Sequence, residues 1–139
     1  MNKHIFFAVY VAANLGLVLY GVLAMAKPGI LLDPFLLNVY QFPPQASKAI
    51  VYLESLFRLL GFFNLVLGLL GLFFLRRLRI SWQAWILRTV VLSTTFAYIG
   101  PIVFDNTVGN IGFFEIVEHF LFALVVILGV IFWRERHDE

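Results

Sequence analysis

Four long apolar runs alternate with short polar or proline-bearing stretches along the chain. They cover residues 5–25, 49–75, 82–103 and 113–133. Each run has about the 20 residues that an α-helix needs to cross the hydrocarbon core of a bilayer. We therefore predict an all-α fold, an integral membrane four-helix transmembrane bundle that forms one domain over residues 1–139.

A fifth apolar stretch, residues 30–42, follows the first run. It is too short to span a bilayer, Asp33 and Pro34 interrupt it, and Pro43 and Pro44 close it. Segments of this length are typical of interfacial or re-entrant structure. We predict a short amphipathic or re-entrant segment after helix 1 that lies as a lid over one end of the bundle.

The first run has some features of a secretory signal peptide. Lys3 gives a basic start, and Ala24-Met25-Ala26 resembles a cleavage site. The apolar run is longer than the roughly 7–15 residues of a secretory signal core, and no charge interrupts it. We expect it to be retained as the first spanning helix.

The amino-acid composition indicates whether this domain lies in water or in a membrane. Hydrophobic residues make up 62% of the chain and charged residues 13%. A water-soluble domain of this size could not hide that much apolar surface, because small domains keep a large share of their area exposed. The lipid bilayer is the expected surrounding. A formal net charge of +2 is too small to indicate nucleic acid, and the absence of cysteine excludes disulfides and thiolate metal sites.

The cations predict an orientation. In a four-helix threading, one side is flanked by Lys3, Arg76, Arg77, Arg79, Arg134 and Arg136. Lys27 and Lys48 flank the other side. The positive-inside rule then places both termini in the cytoplasm, and a bacterial inner membrane is the expected location.

Small and amide side chains predict where helices pack. Gly61 and Gly68 lie on one arc of helix 2, with Asn64 and Gly71 to one side of that arc. Glycines on a membrane helix let a neighbouring backbone approach closely. Asn14 is the one strongly polar side chain of helix 1, and we expect it to form a hydrogen bond to another helix.

Two groups of ionisable residues interrupt the apolar runs. Glu54 and Arg58 are four residues apart in helix 2, while Glu115, Glu118 and His119 occupy the first turns of helix 4. Ionisable side chains within a span are costly, so they are functional candidates by default. In an up-and-down threading both groups fall at one level, near the non-cytoplasmic end. We predict that they meet there in one polar cluster.

Three interpretations of this cluster remain open. In the first, Arg58 is held between Glu54 and Glu118, and the cluster is a clamp that sets helix order. In the second, these residues form a small site with His119, and with Tyr98 at similar depth. Such a site could bind the polar head of a lipid or quinone, or pass protons.

The third interpretation is a metal site formed by Glu115, Glu118 and His119. Carboxylate-bridged bundles use a Glu-x-x-His spacing that is absent from this chain. Phosphate-binding loops, nucleophile elbows and zinc motifs are absent too. We therefore expect no cofactor, and the pattern favours a non-enzymatic protein.

Two further features concern helix 3 and the turn before it. Arg76-Arg77-Leu78-Arg79 is interpreted as a basic turn, and Pro101 is expected to kink or end helix 3. Arg88 lies one to two turns inside the span. It either extends to the nearby interface or joins a buried pair.

The layout resembles small four-helix DoxX-like bacterial membrane proteins. The matching features are a proline-bearing first loop, Arg58-Leu-Leu-Gly61 followed by Gly68, and an acidic residue before the last helix. The resemblance implies an accessory protein, sometimes near membrane redox systems. Together with the residue patterns, it predicts an accessory subunit or oligomer, either a homo-oligomer or part of a larger membrane complex. The alternative is a binder or carrier of an amphipathic ligand such as a lipid or quinone, or a proton-coupled transporter.

Overall fold

Four helices form the described part of the molecule. The computed structural model describes residues 3–28, 47–108 and 112–135. The helices are α1 (Lys3–Ala26), α2 (Ser47–Ile80), α3 (Ala84–Val108) and α4 (Phe113–Glu135). Each of them contains a stretch long and apolar enough to cross a membrane, and no strand occurs in the described ranges. The predicted all-α fold with four spanning helices is confirmed.

Helix α2 is longer than the hydrophobic pattern predicted. It runs for 34 residues, or about 51 Å, and includes the predicted basic turn as its last turn. Arginines are favourable there because they interact with the negative end of the helix dipole. Leu78 lies among them and is fully buried, which anchors this turn to the core. The interpretation of residues 76–79 as a turn was therefore wrong, and the chain reverses at residues 81–83 instead.

Helix α3 continues through Pro101 to Val108, so the predicted end near residue 103 was too early. Proline lacks the N–H that would bond to the carbonyl of Ala97. Packed membrane helices tolerate this loss because nearby groups can satisfy the freed backbone. Near the helix end, Asn106 Nδ2 donates to the carbonyl of Ile102 at 2.8 Å. The predicted lid, residues 30–42, lies outside the described residues.

Consecutive helices are antiparallel. Gly21 near the end of α1 faces Gly61 in α2, whereas Asn14, further back in α1, faces Gly71, further along α2. Helices α3 and α4 are antiparallel as well, because Val91 early in α3 faces Gly129 late in α4, whereas Asn106 late in α3 bonds to His119 early in α4. One end of the bundle, called the basic end below, therefore gathers Lys3, Arg76, Arg77, Arg79 and Arg134. The other is called the opposite end.

The four helices occupy the corners of a rhombus. Each helix packs against the one before and the one after it in the chain, and α4 also packs against α1. Helices α1 and α3 touch across the centre, while the described parts of α2 and α4 do not contact each other. The short diagonal therefore joins α1 to α3, and α2 and α4 lie at the distant corners.

Glycines allow α1 and α2 to pack backbone against backbone. A Cβ added at Gly21 would lie 2.6 Å from the carbonyl oxygen of Gly61. At Gly61 it would lie 2.7 Å from the Cβ of Ala24, and at Gly68 it would lie 2.8 Å from the carbonyl oxygen of Asn14. Side chains at these glycines would force the helices apart. The predicted packing glycines of α2 thus lie at its contact with α1.

Asn14 links three helices at the centre of the bundle. Its Nδ2 donates to the carbonyl of Tyr10 in the same helix at 2.8 Å and to Thr94 Oγ1 of α3 at 3.1 Å. Its carboxamide also lies against Gly71 of α2, where an added Cβ would overlap Asn14 Oδ1. Asn64, on the same buried stripe of α2, is 5% exposed.

An aromatic core fills the basic end. The Phe6 ring stacks on Tyr10 with centroids 4.3 Å apart and lies 4.8 Å from the Phe132 ring. Trp82 approaches Phe6 edge-on at 5.9 Å. The Tyr10 hydroxyl donates to the carbonyl of Val125 at 2.8 Å, which ties α1 to α4. Aromatic side chains from α1, from α4 and from the turn after α2 therefore form the core at this end.

We expect Gly68→Ala to destabilise the protein by about 1–3 kcal/mol, because the new methyl group meets the α1 backbone. Gly100→Ala is the matched control, since no atom lies within 4 Å of a Cβ at that position. It should be neutral or stabilising by up to about 1 kcal/mol. The free energy of unfolding is measured by titrating mixed micelles with dodecyl sulfate. Equal losses for the two variants would contradict this packing.

The contact between Asn14 and Gly71 gives a rescue experiment. Gly71→Ala should cost about 1–3 kcal/mol in the wild-type chain, because its methyl group overlaps the Asn14 carboxamide. In an Asn14→Ala background the same substitution has room, so its cost should fall by more than half. The same unfolding titration measures all four variants of the cycle. An unchanged cost in both backgrounds would show that the two side chains do not share this space.

Candidate functional site

The structure does not bring the two predicted ionisable groups together. Glu54 and Arg58 lie on α2, and the acidic and imidazole groups lie on α4, at distant corners of the rhombus. Arg58 is exposed, and in the described part of the chain it forms no ion pair with Glu54 or Glu118. The expectation of one joint cluster is therefore corrected. Two antiparallel helices can share a depth in the membrane and still be separated by the α1–α3 contact.

Glu115 stabilises the N-terminus of α4 through a hydrogen bond to the residue before the helix. Its Oε2 accepts a hydrogen bond from the backbone N–H of Gly112 at 2.8 Å. Gly112 is the residue before the helix, and its carbonyl accepts the first helical bond, from the N–H of Ile116 at 3.2 Å. A glutamate three residues into a helix that bonds back to the cap residue is half of a capping box. Glu115 therefore has a structural role that the sequence reading did not assign to it.

His119 links α4 to the end of α3. Its Nδ1–H donates to the carbonyl of Glu115 at 2.7 Å, and its Nε2 accepts from Asn106 Nδ2 at 2.8 Å. The same Asn106 nitrogen donates to the carbonyl of Ile102, so it must be the amide NH₂. In this arrangement Nε2 is the acceptor and Nδ1 is the donor of the imidazole.

Tyr98 of α3 and Glu118 of α4 are the two remaining predicted site residues in this part of the bundle. The Tyr98 hydroxyl donates to the carbonyl of Ala13 in α1 at 2.9 Å, and its ring stacks against Phe122 at 6.4 Å. Glu118 is half-buried and close enough for its charge to act on the Tyr98 phenol. The predicted site residue Tyr98 thus joins α3 to α1, with a carboxylate nearby.

These groups form what we call the α3–α4 polar cluster, which consists of Tyr98, Asn106, Glu115, Glu118 and His119. In residues 3–28, 47–108 and 112–135, no three histidines or carboxylates lie close enough together to hold a metal ion. Glu115 and His119 instead satisfy backbone groups of their own helix. The arrangement can set the register of α3 on α4.

Glu54 and Arg58 occupy a different environment. Gly61 faces Ala24 in the last turns of α1, so Arg58 lies about level with the end of that helix and Glu54 lies about one turn beyond it. Glu54 is half-buried and Arg58 exposed. Exposed apolar side chains surround them on α2, including Tyr52 at 65% exposure. This end of α2 therefore presents charge within an apolar surface.

Arg88 is far from both groups. It is exposed, and its guanidinium lies over the Trp133 ring at 5.3 Å, at the basic end. Of the two interpretations of this residue, the structure shows the one in which the side chain extends toward the nearby interface. Arg88 does not join the α3–α4 polar cluster.

Sequence reasoning missed Asn106 and Thr94, which supply the inter-helix hydrogen bonds to His119 and Asn14. Asn106 lies beyond residue 103, where helix 3 was predicted to end. With α3 continued, Asn106 and His119 fall at matching levels of antiparallel helices. A threonine in a membrane helix needs no partner from another helix, because its hydroxyl can bond to its own backbone. The depth that Thr94 shares with Asn14 was the available signal.

The chain was compared with protein-family models, with curated proteins and with solved structures, and nothing matches it. The resemblance to DoxX-like membrane proteins therefore stays a prediction.

The hydrogen bond between Asn106 and His119 can be measured by a double-mutant cycle with Asn106→Ala and His119→Ala. We expect a coupling of about 0.6 kcal/mol, with about 1.7 as the upper bound for inter-helix hydrogen bonds in membranes. His119→Ala combined with Arg58→Ala is the control cycle. The two effects should add to within about 0.5 kcal/mol, since the described parts of α2 and α4 do not touch. Additivity in the first cycle would contradict the network.

Proposed function

We propose that the protein is a non-enzymatic accessory membrane protein that acts by association, and that the opposite end of α2 is its docking surface. The observation that supports this most directly is the charged pair Glu54 and Arg58. Neither side chain forms an ion pair in the described part of the chain, although both lie within an apolar surface. A partner helix, from a second copy or from another membrane protein, supplies the missing polar contacts.

The depth of Arg58 favours a partner at membrane level. Eighteen residues separate it from Arg76 at the basic end, or about 27 Å of helix. The hydrocarbon core is about 30 Å thick, so Arg58 lies close to its far boundary. A cation at that level stays hydrated in the free protein and is partly desolvated when a partner covers it. Such a contact selects a partner that carries a matching acid.

The α3–α4 polar cluster supports a structural interpretation of the remaining ionisable groups. Glu115 caps α4, His119 bonds to Asn106, and Tyr98 bonds to the α1 backbone. These hydrogen bonds hold three helices in register, which is the role expected of a clamp. We therefore propose that the acids on α4 help to align the helices within the bundle, whereas the acid on α2 takes part in association with a partner.

The orientation we propose has both termini in the cytoplasm of a bacterial inner membrane. Its support is the cluster of cations at the basic end, as in the positive-inside rule. Trp82 and Trp133 lie at the same end, where aromatic side chains favour the interface. In this orientation the docking surface of α2 faces the outer leaflet.

A second candidate function is binding or carriage of an amphipathic ligand such as a lipid or quinone, or proton-coupled transport, by the α3–α4 polar cluster. Glu118 and His119 are both half-buried, so neither is sealed from outside molecules. Phe122 lies beside Tyr98 and offers a ring against which a quinone head group can pack.

A photo-crosslinking residue placed at Tyr52 tests the docking surface in cells at native expression. Leu19 on α1 is the matched control position, because both side chains are 65% exposed. We expect an adduct of defined size from Tyr52 and none above background from Leu19. Arg58→Gln should lower the adduct yield about twofold to fivefold, as expected for an ion pair of about 0.5–1 kcal/mol. Arg79→Gln, an exposed cation in the last turn of α2, should leave the yield unchanged.

The outcomes separate the two candidate functions. A dimer-sized adduct identifies a second copy, and a larger adduct identifies a different subunit. Equal adducts from Tyr52 and Leu19 would overturn the proposed docking surface. If the purified protein is instead monomeric, and Glu118→Gln removes a co-purified quinone or lipid without changing the free energy of unfolding, the ligand-carrier function replaces it.

A further inference from the structure

A groove between α3 and α4 opens on the outer surface of the bundle near the basic end. It encloses about 380 Å³. Its walls include Val91 and Leu92 of α3 and Val126, Val130, Trp133 and Arg134 of α4. Except at Thr95 and Arg134, the lining is apolar. The groove runs along about 12 Å of α4, from Val126 to Arg134, parallel to the lipid chains of the surrounding bilayer.

Gly129 forms the floor of this groove. A Cβ at that position would lie 2.7 Å from the Tyr10 hydroxyl and 2.8 Å from Val91 Cγ1. The hydrogen that glycine carries instead leaves α4 close to the core while the larger side chains on either side form walls. The groove is thus a consequence of how closely α4 packs against α1 and α3 at Gly129.

Two arginines frame the mouth of the groove at the basic end. Arg134 is part of the lining, and the Arg88 guanidinium lies over the ring of Trp133, which is also part of the lining. Arg88 is one turn before Val91 and Leu92, so it continues the α3 wall toward the membrane surface. None of the lining residues is acidic. The site therefore joins an apolar channel to a positively charged opening.

We propose that this groove binds an anionic glycerophospholipid, with one acyl chain in the channel and the phosphate at Arg88 and Arg134. Basic pockets between membrane helices are suited to anionic head groups, and arginine forms paired hydrogen bonds to phosphate oxygens. The chain fills the apolar walls, and the phosphate neutralises both cations. This lipid site is independent of the α2 docking surface, because it lies on the other side of the molecule.

Charge favours a lipid over a second copy of the chain. Two copies inserted with the same orientation would place their basic ends at one level. A symmetric contact through this groove would bring Arg88 and Arg134 of one copy toward the same residues of the other. Like charges across an interface disfavour association. An anionic lipid meets the same surface with the opposite charge.

Native mass spectrometry of the purified, delipidated protein tests the assignment. The probe is an equimolar mixture of palmitoyl-oleoyl phosphatidylglycerol and palmitoyl-oleoyl phosphatidylcholine. We expect at least fivefold preference for the anionic lipid. Arg88→Gln and Arg134→Gln should each lower its retention about fivefold, as expected for one cation near an anionic head group. Arg76→Gln is the control, since it removes the same charge from the same end of the bundle but from α2.

A second variant tests the channel itself. Val130→Phe adds a ring at the exposed wall of the groove and should reduce retention of both lipids. Leu15→Phe, at a similarly exposed position on α1, should not. Equal binding of the two lipids would overturn the assignment, as would an equal loss in Arg76→Gln and Arg134→Gln. If Val130→Phe retains both lipids unchanged, the lipid is held by surface charge alone, and the proposal that an acyl chain occupies the groove is overturned. A lipid-free dimer that Val130→Phe breaks would assign the groove to a second copy instead.

Discussion

The close approach of the α1 and α2 backbones is the contact on which the rest of the bundle depends. Lipid tails are as apolar as leucine, so burial of apolar side chains gives little drive for helices to associate in a membrane. What remains is van der Waals contact and hydrogen bonding between helices. Glycines at 21, 61, 68 and 71 make the first possible over the second half of α1, from Asn14 to Met25. They also bring Asn14 to a depth where its amide reaches α3.

Polar side chains then connect the remaining helices one pair at a time. Asn14 and Tyr98 join α1 to α3, Tyr10 joins α1 to α4, and His119 joins α4 to α3. All four of these bonds end on a backbone carbonyl or on an uncharged side chain such as Thr94 or Asn106, so none needs a buried counter-charge. The bundle is thus specified by neutral hydrogen bonds, and the charged groups stay near its two ends.

Hydropathy predicted the four spans because the free energy of transfer from water into lipid depends on each residue and its near neighbours in the sequence. Periodicity likewise pointed to Gly61, Gly68 and Asn14, since a helix repeats its faces locally. The proposed meeting of Arg58 with Glu118 depended on something else. Depth is one coordinate, and two helices at equal depth can stand at any two corners of a bundle. Only the contacts of α1 with α3 decide that α2 and α4 are separated, and no local pattern records them.

The behaviour of α3 at Pro101 had the same cause. The sequence shows that a backbone donor is missing, but whether the helix ends depends on what surrounds it. Here the helix continues for seven more residues and delivers Asn106 to His119. The loss of one local bond was therefore a poor guide to the helix end. Because helix 3 was expected to end near Pro101, the polar contact between Asn106 and His119 was not predicted.

The length of α2 has a consequence for the membrane around the protein. Its uncharged apolar stretch, residues 59–75 between Arg58 and Arg76, is about 26 Å long and close to a hydrocarbon thickness of about 30 Å. The remaining turns of the helix, with Glu54 and Arg58 before this stretch and three arginines after it, extend toward the two headgroup layers. A steep tilt would draw Arg58 or Arg76 toward the lipid tails, so the charges at both limits hold α2 close to the bilayer normal. Since glycine contacts bind α2 along α1, the first two helices share this upright position, and together they set the membrane thickness that the protein fits.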